Sequence, residues 1–79
     1  MGSKLNISIF GLGYVGLPLA IKLSNHYNVL GFDKNKQRIK ELKKFFDKNR
    51  EISFIELKKS KLKYSTNLKN LKNSNIFIV

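Results

Sequence analysis

The sequence predicts an α/β fold in which a doubly wound parallel sheet is built from alternating strands and helices. Short apolar segments recur along the chain, glycines follow the first of them directly, and helical periodicity fills the intervals. Together these observations give the order βαβαβαβ. Right-handed crossovers then predict the strand order 3-2-1-4.

The first strand and helix are predicted from the apolar pattern around a cluster of glycines. The strand should run from Leu5 to Phe10, with its most apolar residues at the carboxyl end. The helix should run from about Tyr14 to Asn25, with Pro18 near its first turn, where a missing N–H is tolerated. The stripe of this helix that faces the sheet is expected to consist of Val15, Leu19, Leu23 and either Ile21 or Lys22.

The second strand is predicted from Tyr27 to Phe32 and the second helix from Lys36 to about Phe46. Phe45 and Phe46 at the end of that helix are expected to be core residues. The remaining elements are a short helix, a third strand, a second short helix capped by Thr66 or Asn67, and a fourth strand. The short helix is expected at Phe54–Lys59 and the third strand at Lys61–Ser65. The second short helix should end at Leu71, and the fourth strand should span Ile76–Val79.

Three glycines between the first strand and the first helix give the sequence Gly-Leu-Gly-Tyr-Val-Gly. After a strand and before a helix, this spacing predicts a Rossmann-type dinucleotide-binding turn. Gly11 permits a sharp turn, Gly13 a close approach to a pyrophosphate, and Gly16 tight packing of the helix on the strand. The first N–H groups of the helix should then face the phosphates.

Asp33 ends the second strand, where an acidic side chain accepts hydrogen bonds from the ribose hydroxyls of adenosine. A carboxylate in this place favours NAD over NADP, because it would repel the 2′-phosphate. Lys34, Lys36 and Arg38 weaken that preference, since a nearby cation can accommodate a phosphate. Asp33 has a second interpretation as the N-cap of the following helix, and the two roles are compatible.

Composition excludes several functional classes. The chain of 79 residues has no cysteine, which excludes a disulfide, a thiolate metal site and a thiol nucleophile. No apolar run is long enough to span a membrane, and Met1 to Lys4 lack the apolar segment of a signal peptide, so a cytoplasmic protein without a membrane partner is expected. The net charge of +11 is spread over lysines on polar faces, and nucleic-acid-binding motifs are absent, so no nucleic-acid partner is expected.

The residues from Ile9 to Ala20 closely resemble the opening of the nucleotide-sugar 6-dehydrogenases, the family of UDP-glucose and GDP-mannose dehydrogenases. The form Gly-Leu-Pro-Leu-Ala at residues 16–20 is most like the UDP-N-acetylhexosamine branch. The similarity continues at Gly31–Asp33, Arg38–Ile39 and Ile76–Val79.

The resemblance implies an enzyme that oxidises the C6 hydroxyl of a UDP-sugar to a carboxylate in two NAD-dependent steps, for cell-surface polysaccharide synthesis. Its catalytic cysteine and the groups that assist it are expected beyond this chain, so no catalytic residue is predicted here. The implied full-length protein forms a homodimer. The cofactor contacts that the motif and the resemblance imply are Gly11, Leu12, Gly13, Tyr14, Val15, Gly16, Asp33 and Arg38, the last beside the adenosine.

Residues 1–79 are expected to be the N-terminal part of an incomplete NAD-binding domain, because such a domain has two further strands. The apolar edge at Ile76–Val79 is expected to be covered by another copy or by other protein. Two alternatives remain open. One is the NAD-binding part of another Rossmann dehydrogenase, of the 3-hydroxyacid type, and the other is a non-enzymatic nucleotide- or polyanion-binding module.

Overall fold

A computed structural model describes residues 5–71 and 74–79. The start of the chain, Met1 to Lys4, where no signal peptide was expected, lies outside the described residues. The elements in chain order are β1 Asn6–Phe10, α1 Gly16–Ser24, β2 Asn28–Phe32, α2 Lys36–Lys43, α3 Phe54–Lys59, β3 Lys63–Ser65, a 3-10 turn Leu68–Leu71 and β4 Ile76–Ile78.

The four strands form one parallel sheet with the order β3-β2-β1-β4, which confirms the predicted topology. In register, Phe10 of β1 lies opposite Phe32 of β2, and Ile7 lies opposite Ile76 of β4. Although β4 is fully apolar, it lies at the edge of this sheet, and the side chain of Phe77 is 53% exposed. The edge position of β4 is the one that the order 3-2-1-4 predicts, and the strand at that edge is apolar as expected.

Helix α1 packs on the core partly as expected, because Leu19, Ile21 and Leu23 are partly buried against it, but its most deeply buried residues are others. Its buried residues are Leu17, Ala20 and Ser24, whereas Val15 precedes the helix and is 79% exposed. The helix begins at Gly16, directly against the end of β1, and this contact sets which residues turn inward. The apolar core to which α1 contributes consists of Ile7, Ile9, Leu12, Leu17, Ala20, Val29, Ile39, Leu42, Ile52, Leu57 and Leu62.

Helix α2 ends earlier than predicted, in a Schellman motif. The N–H of Phe46 donates to the carbonyl of Glu41, and the N–H of Phe45 donates to the carbonyl of Leu42. Phe45 takes the left-handed conformation that this motif requires, with φ of 64°. As a result, Phe45 packs against the core, but Phe46 leaves the apolar stripe and is 52% exposed, so the prediction that both are core residues is wrong for Phe46.

The loop after α2 is organised by the buried carboxylate of Asp47. One carboxylate oxygen accepts from Arg38 Nη1 at 2.7 Å and from the N–H of Asn49, and the other accepts from the N–H groups of Glu51 and Ile52. Burial, the largest influence, by itself raises the pKa of Asp47. The hydrogen bonds from Arg38, Ile52 and Asn49 and the charge of Arg38 together hold that pKa below its usual value of 3.8.

The passage from β1 into α1 depends on two glycines. Gly11 has φ of +90°, a left-handed conformation that residues with a Cβ rarely adopt. A Cβ at Gly16 would lie 1.9 Å from the carbonyl oxygen of Gly11, which is backbone and cannot rotate away. The structural role predicted for Gly16, close packing of the helix on the strand, is therefore confirmed.

Gly16→Ala should lower the free energy of unfolding by about 3 kcal/mol or more, because the added methyl group forces α1 away from β1. Urea denaturation followed by circular dichroism measures this change. Gly13→Ala is the matched control, since a Cβ at Gly13 meets no protein atom within 4 Å. Equal stability of the two variants would contradict the steric role of Gly16.

Asp47→Asn should lower the free energy of unfolding by about 3 kcal/mol near neutral pH, because it leaves the buried guanidinium of Arg38 without its charge partner. A carboxyl group whose folded-state pKa is lowered stabilises the fold above its unfolded pKa, and this contribution disappears as the pH falls through the folded pKa. The difference in the free energy of unfolding between wild type and Asp47→Asn should therefore shrink as the pH falls below 3.8. Urea denaturation across this range measures it.

The control for this pH series is Glu51→Gln, which removes an exposed carboxylate from the same loop. Its stability should follow that of wild type at each pH. The contrary outcome is that the free energies of unfolding of wild type and Asp47→Asn differ by the same amount at every pH. That result would show that the charge of Asp47 does not stabilise the fold.

Candidate functional site

The space in front of α1 is open. Gly13 has no atom within 4 Å of its Cβ position, and the side chains of Tyr14 and Val15 are 65% and 79% exposed. Val15 is the N-cap, its side chain makes no capping hydrogen bond, and the first turn of α1 contains no acidic residue. Among the described residues, no side-chain acceptor therefore caps the first N–H groups of the helix at the positive end of its dipole, an arrangement that suits an anion.

Leu12 anchors the turn formed by residues 11–16, which we call the glycine turn. Its side chain is fully buried, and its methyl groups lie 2.9 Å from the place that a Cβ at Gly31 would take. Its N–H donates to Oδ2 of Asp33 at 3.0 Å, and its carbonyl accepts from Nε of Arg38 at 2.7 Å. Leu12 therefore belongs to the predicted site through its backbone, with its side chain in the core.

Asp33 lies at the end of β2 and is half-buried. Besides the bond from Leu12, its Oδ1 accepts from the N–H of Asn35 at 2.9 Å. Asn35 is the N-cap of α2, since its side chain accepts from the N–H of Arg38. The interpretation of Asp33 as the N-cap is thus wrong, because Asn35 caps α2, and the two oxygens of Asp33 accept from Leu12 and Asn35. A carboxylate offers about four lone pairs, so each oxygen retains capacity for a further donor such as a ribose hydroxyl.

Arg38 is buried beneath the glycine turn, with its side chain 8% exposed. Nε donates to Leu12, Nη1 pairs with Asp47, and Nη2 is buried without a hydrogen-bond partner among the described residues. The positive charge of Arg38 is therefore already compensated within the protein. Lys34 and Lys36 are exposed.

Asp47 is the residue of this arrangement that the sequence analysis did not single out. The signal in the sequence is the spacing Asp-x-Asn at residues 47–49, which is typical of an aspartate that accepts from the N–H two residues on. Asp47 also contacts Arg38, because the loop folds back on α2. The local spacing of residues does not encode where a loop folds back.

The described residues contain neither a metal-ligand cluster nor a membrane-spanning helix. Within residues 5–71 and 74–79, His, Cys, Asp and Glu form no group of three that could hold a metal ion. No helix described over the same ranges is long and apolar enough to cross a membrane.

Comparison with known proteins gives concordant results. Residues 5–79 match the NAD-binding domain of the UDP-glucose/GDP-mannose dehydrogenase family. The chain is 45% identical over 76 residues to UDP-N-acetyl-D-glucosamine 6-dehydrogenase of Pseudomonas aeruginosa and 43% identical over 74 residues to Protein CapL of Staphylococcus aureus. A solved UDP-D-ManNAc dehydrogenase from Pyrococcus horikoshii superposes with a TM-score of 0.75 at 32% identity.

These similarities cover nearly all of this chain but a small part of each relative. The alignment with the Pseudomonas protein covers 95% of this chain and 18% of that protein. The alignment with CapL covers 94% of this chain and 18% of CapL. The Pyrococcus structure covers 92% of this chain, which corresponds to 19% of the Pyrococcus chain. Because the family match extends from residue 5 to residue 79, the chain belongs to the UDP-glucose/GDP-mannose dehydrogenase family, within its NAD-binding domain.

Proposed function

We propose that the glycine turn and Asp33 bind NAD for a UDP-sugar 6-dehydrogenase. The observation that carries this proposal is the 3.0 Å hydrogen bond from the N–H of Leu12 to the carboxylate of Asp33. It holds together the two parts of a dinucleotide site, a phosphate-binding turn and an acceptor for the ribose hydroxyls.

The residues present fit the cofactor. The open space at Gly13 leaves room for the pyrophosphate, and the uncapped start of α1 offers backbone donors at Tyr14 and Val15. Asp33 would hold the adenosine ribose with its remaining lone pairs. We include Arg38 because it supports the turn through Leu12, beside the place expected for the adenosine.

The structure also bears on the choice between NAD and NADP. Arg38 was considered a cation that could accommodate a 2′-phosphate, but its charge is paired with Asp47 and its side chain is buried. The negative charge of Asp33 then dominates this end of β2, with Lys34 and Lys36 directed to solvent. We therefore propose that the site prefers NAD.

NAD supplies the hydride acceptor for alcohol oxidation when it is bound. The names of the relatives support a UDP-N-acetylhexosamine as the substrate, oxidised at its C6 hydroxyl to the carboxylate. Because the chain spans less than a fifth of these relatives, we assign the substrate site, the catalytic groups and the homodimer contact to sequence outside residues 1–79. The cytoplasm, where UDP-sugars are made and used for polysaccharide synthesis, is the compartment that fits this activity.

The alternatives have less support. Membership of the UDP-glucose/GDP-mannose dehydrogenase family removes the reason to consider a dehydrogenase of the 3-hydroxyacid type. A polyanion-binding module rests on the net charge of +11 alone. Such a module requires binding to DNA that weakens steeply with salt, and we expect no such binding at low ionic strength.

Asp33→Asn should raise the dissociation constant for NADH about tenfold, because an amide is a weaker acceptor than a carboxylate for the ribose hydroxyls. Titration followed by the fluorescence of NADH measures the effect. The matched control is Glu51→Gln, which makes the same exchange at an exposed site. Equal affinities of Asp33→Asn and wild type would remove Asp33 from the site.

Gly13→Ala should raise the dissociation constant for NADH by about tenfold or more while leaving the melting temperature unchanged. The added methyl group meets no protein atom but would occupy the space that the pyrophosphate needs. Titration with NADH and thermal denaturation, performed on the same sample, separate the two effects. Unaltered binding by Gly13→Ala would show that phosphates do not approach the turn at this residue.

A further inference from the structure

We propose that Asp47 and Arg38 act as a positioning pair that aims the N–H of Gly13 at the pyrophosphate. This inference rests on the proposed function of the glycine turn as an NAD site. It assigns to Asp47 a role in cofactor binding, although Asp47 lies in a loop outside the turn.

The geometry begins with the peptide that joins Leu12 to Gly13. Its carbonyl points into the protein and accepts from Nε of Arg38 at 2.7 Å. Peptide units are planar, and no cis peptide bond occurs in the described chain, so the N–H of Gly13 points opposite to the carbonyl of Leu12. The contact with Arg38 therefore turns the N–H of Gly13 away from the buried guanidinium. The space around a Cβ on Gly13 is open, since nothing beyond the adjoining residues would lie within 4 Å of it.

A single hydrogen bond would leave the Arg38 side chain free to rotate, and Asp47 removes that freedom. Nη1 of Arg38 lies 2.7 Å from Oδ1 of Asp47, and the side chain of Asp47 is completely buried. Because the guanidinium is planar, fixing Nη1 also fixes the direction in which Nε donates. Asp47 is itself held by the N–H groups of Asn49, Glu51 and Ile52.

The second side of the turn is fixed independently. The N–H of Leu12 belongs to the preceding peptide and donates to Asp33, so two charged side chains orient two successive peptides. Asp33 is proposed to touch the ribose directly. Arg38 and Asp47 act through the carbonyl of Leu12, so their substitution should change cofactor affinity through the direction of the Leu12–Gly13 peptide.

Arg38→Lys tests the pair with the least disturbance. A lysine ammonium keeps the charge that compensates Asp47, but it lacks the planar fork that joins Asp47 to Leu12. With the N–H of Gly13 no longer aimed, the dissociation constant for NADH should rise about tenfold. Asp47→Asn should have a similar effect, and the double variant should bind no more weakly than the weaker of the two single variants, because the pair acts as one unit.

Arg50→Lys and Glu51→Gln are the controls, since they make the corresponding exchanges at exposed residues of the same loop. Thermal denaturation of each variant identifies the temperature range in which it is folded, and titrations are compared only there. A purely structural role would lower the melting temperature and leave the affinity of the folded molecules unchanged. That result for Arg38→Lys or for Asp47→Asn would overturn the proposal.

A measurement without cofactor separates this proposal from the proposed function. In the 15N relaxation of the free chain, the amide of Gly13 should be as ordered as those of α1 in wild type, and clearly more mobile in Arg38→Lys. Equal order in the two proteins would refute the positioning role whether or not NADH binds. The Gly13 amide could be more mobile in Arg38→Lys while the wild type does not bind NADH. That combination would support the positioning of the peptide and refute only the proposed function.

Discussion

The carbonyl oxygen of Gly11 occupies the place where any other residue at position 16 would carry its Cβ. This constraint lets α1 start directly against the end of β1, and the start of the helix decides which of its residues face the sheet. Leu17 and Ala20 are then inside, and Tyr14 and Val15 are left exposed around the open space at Gly13. One close contact between backbone atoms thus shapes the core and the candidate site together.

The Arg38–Asp47 pair links parts of the chain that are distant in sequence. It joins the loop after α2 to the glycine turn, and almost no water reaches it. A buried ion pair is favourable only where its remaining donors and acceptors are satisfied, and the four hydrogen bonds at Asp47 provide this on the acidic side. Nη2 of Arg38 is the exception, since it has no partner in the described structure. The pair stabilises the fold while Asp47 is charged, and it also fixes the local geometry of the glycine turn.

The sequence was sufficient for the strand order and for most of the elements, because apolar periodicity and the glycine spacing report directly on strands, helices and the turn between them. It was insufficient where a contact through space decides. The stripe of α1 was predicted only in part: Leu19, Ile21 and Leu23 pack against the core, but Val15 is exposed. The most deeply buried positions were missed because the phase of the helix depends on the contact of Gly16 with Gly11. The end of α2 was misplaced because Phe45 adopts a conformation usually taken by glycine. For the candidate site, Asp33 was identified from its place after β2, whereas the role of Asp47 depends on a long-range fold-back of its loop.

The aromatic rings on one face of the sheet place an apolar surface on a strongly basic chain. The ring of Phe10 lies 5.6 Å from that of Phe32 and 6.0 Å from that of Phe77, so the three form a continuous apolar row that ends at the exposed edge strand β4. At low ionic strength the net charge of +11 keeps such rows apart by repulsion between molecules. Added salt screens that repulsion without weakening apolar attraction, so a contact between such rows is favoured more at high than at low ionic strength.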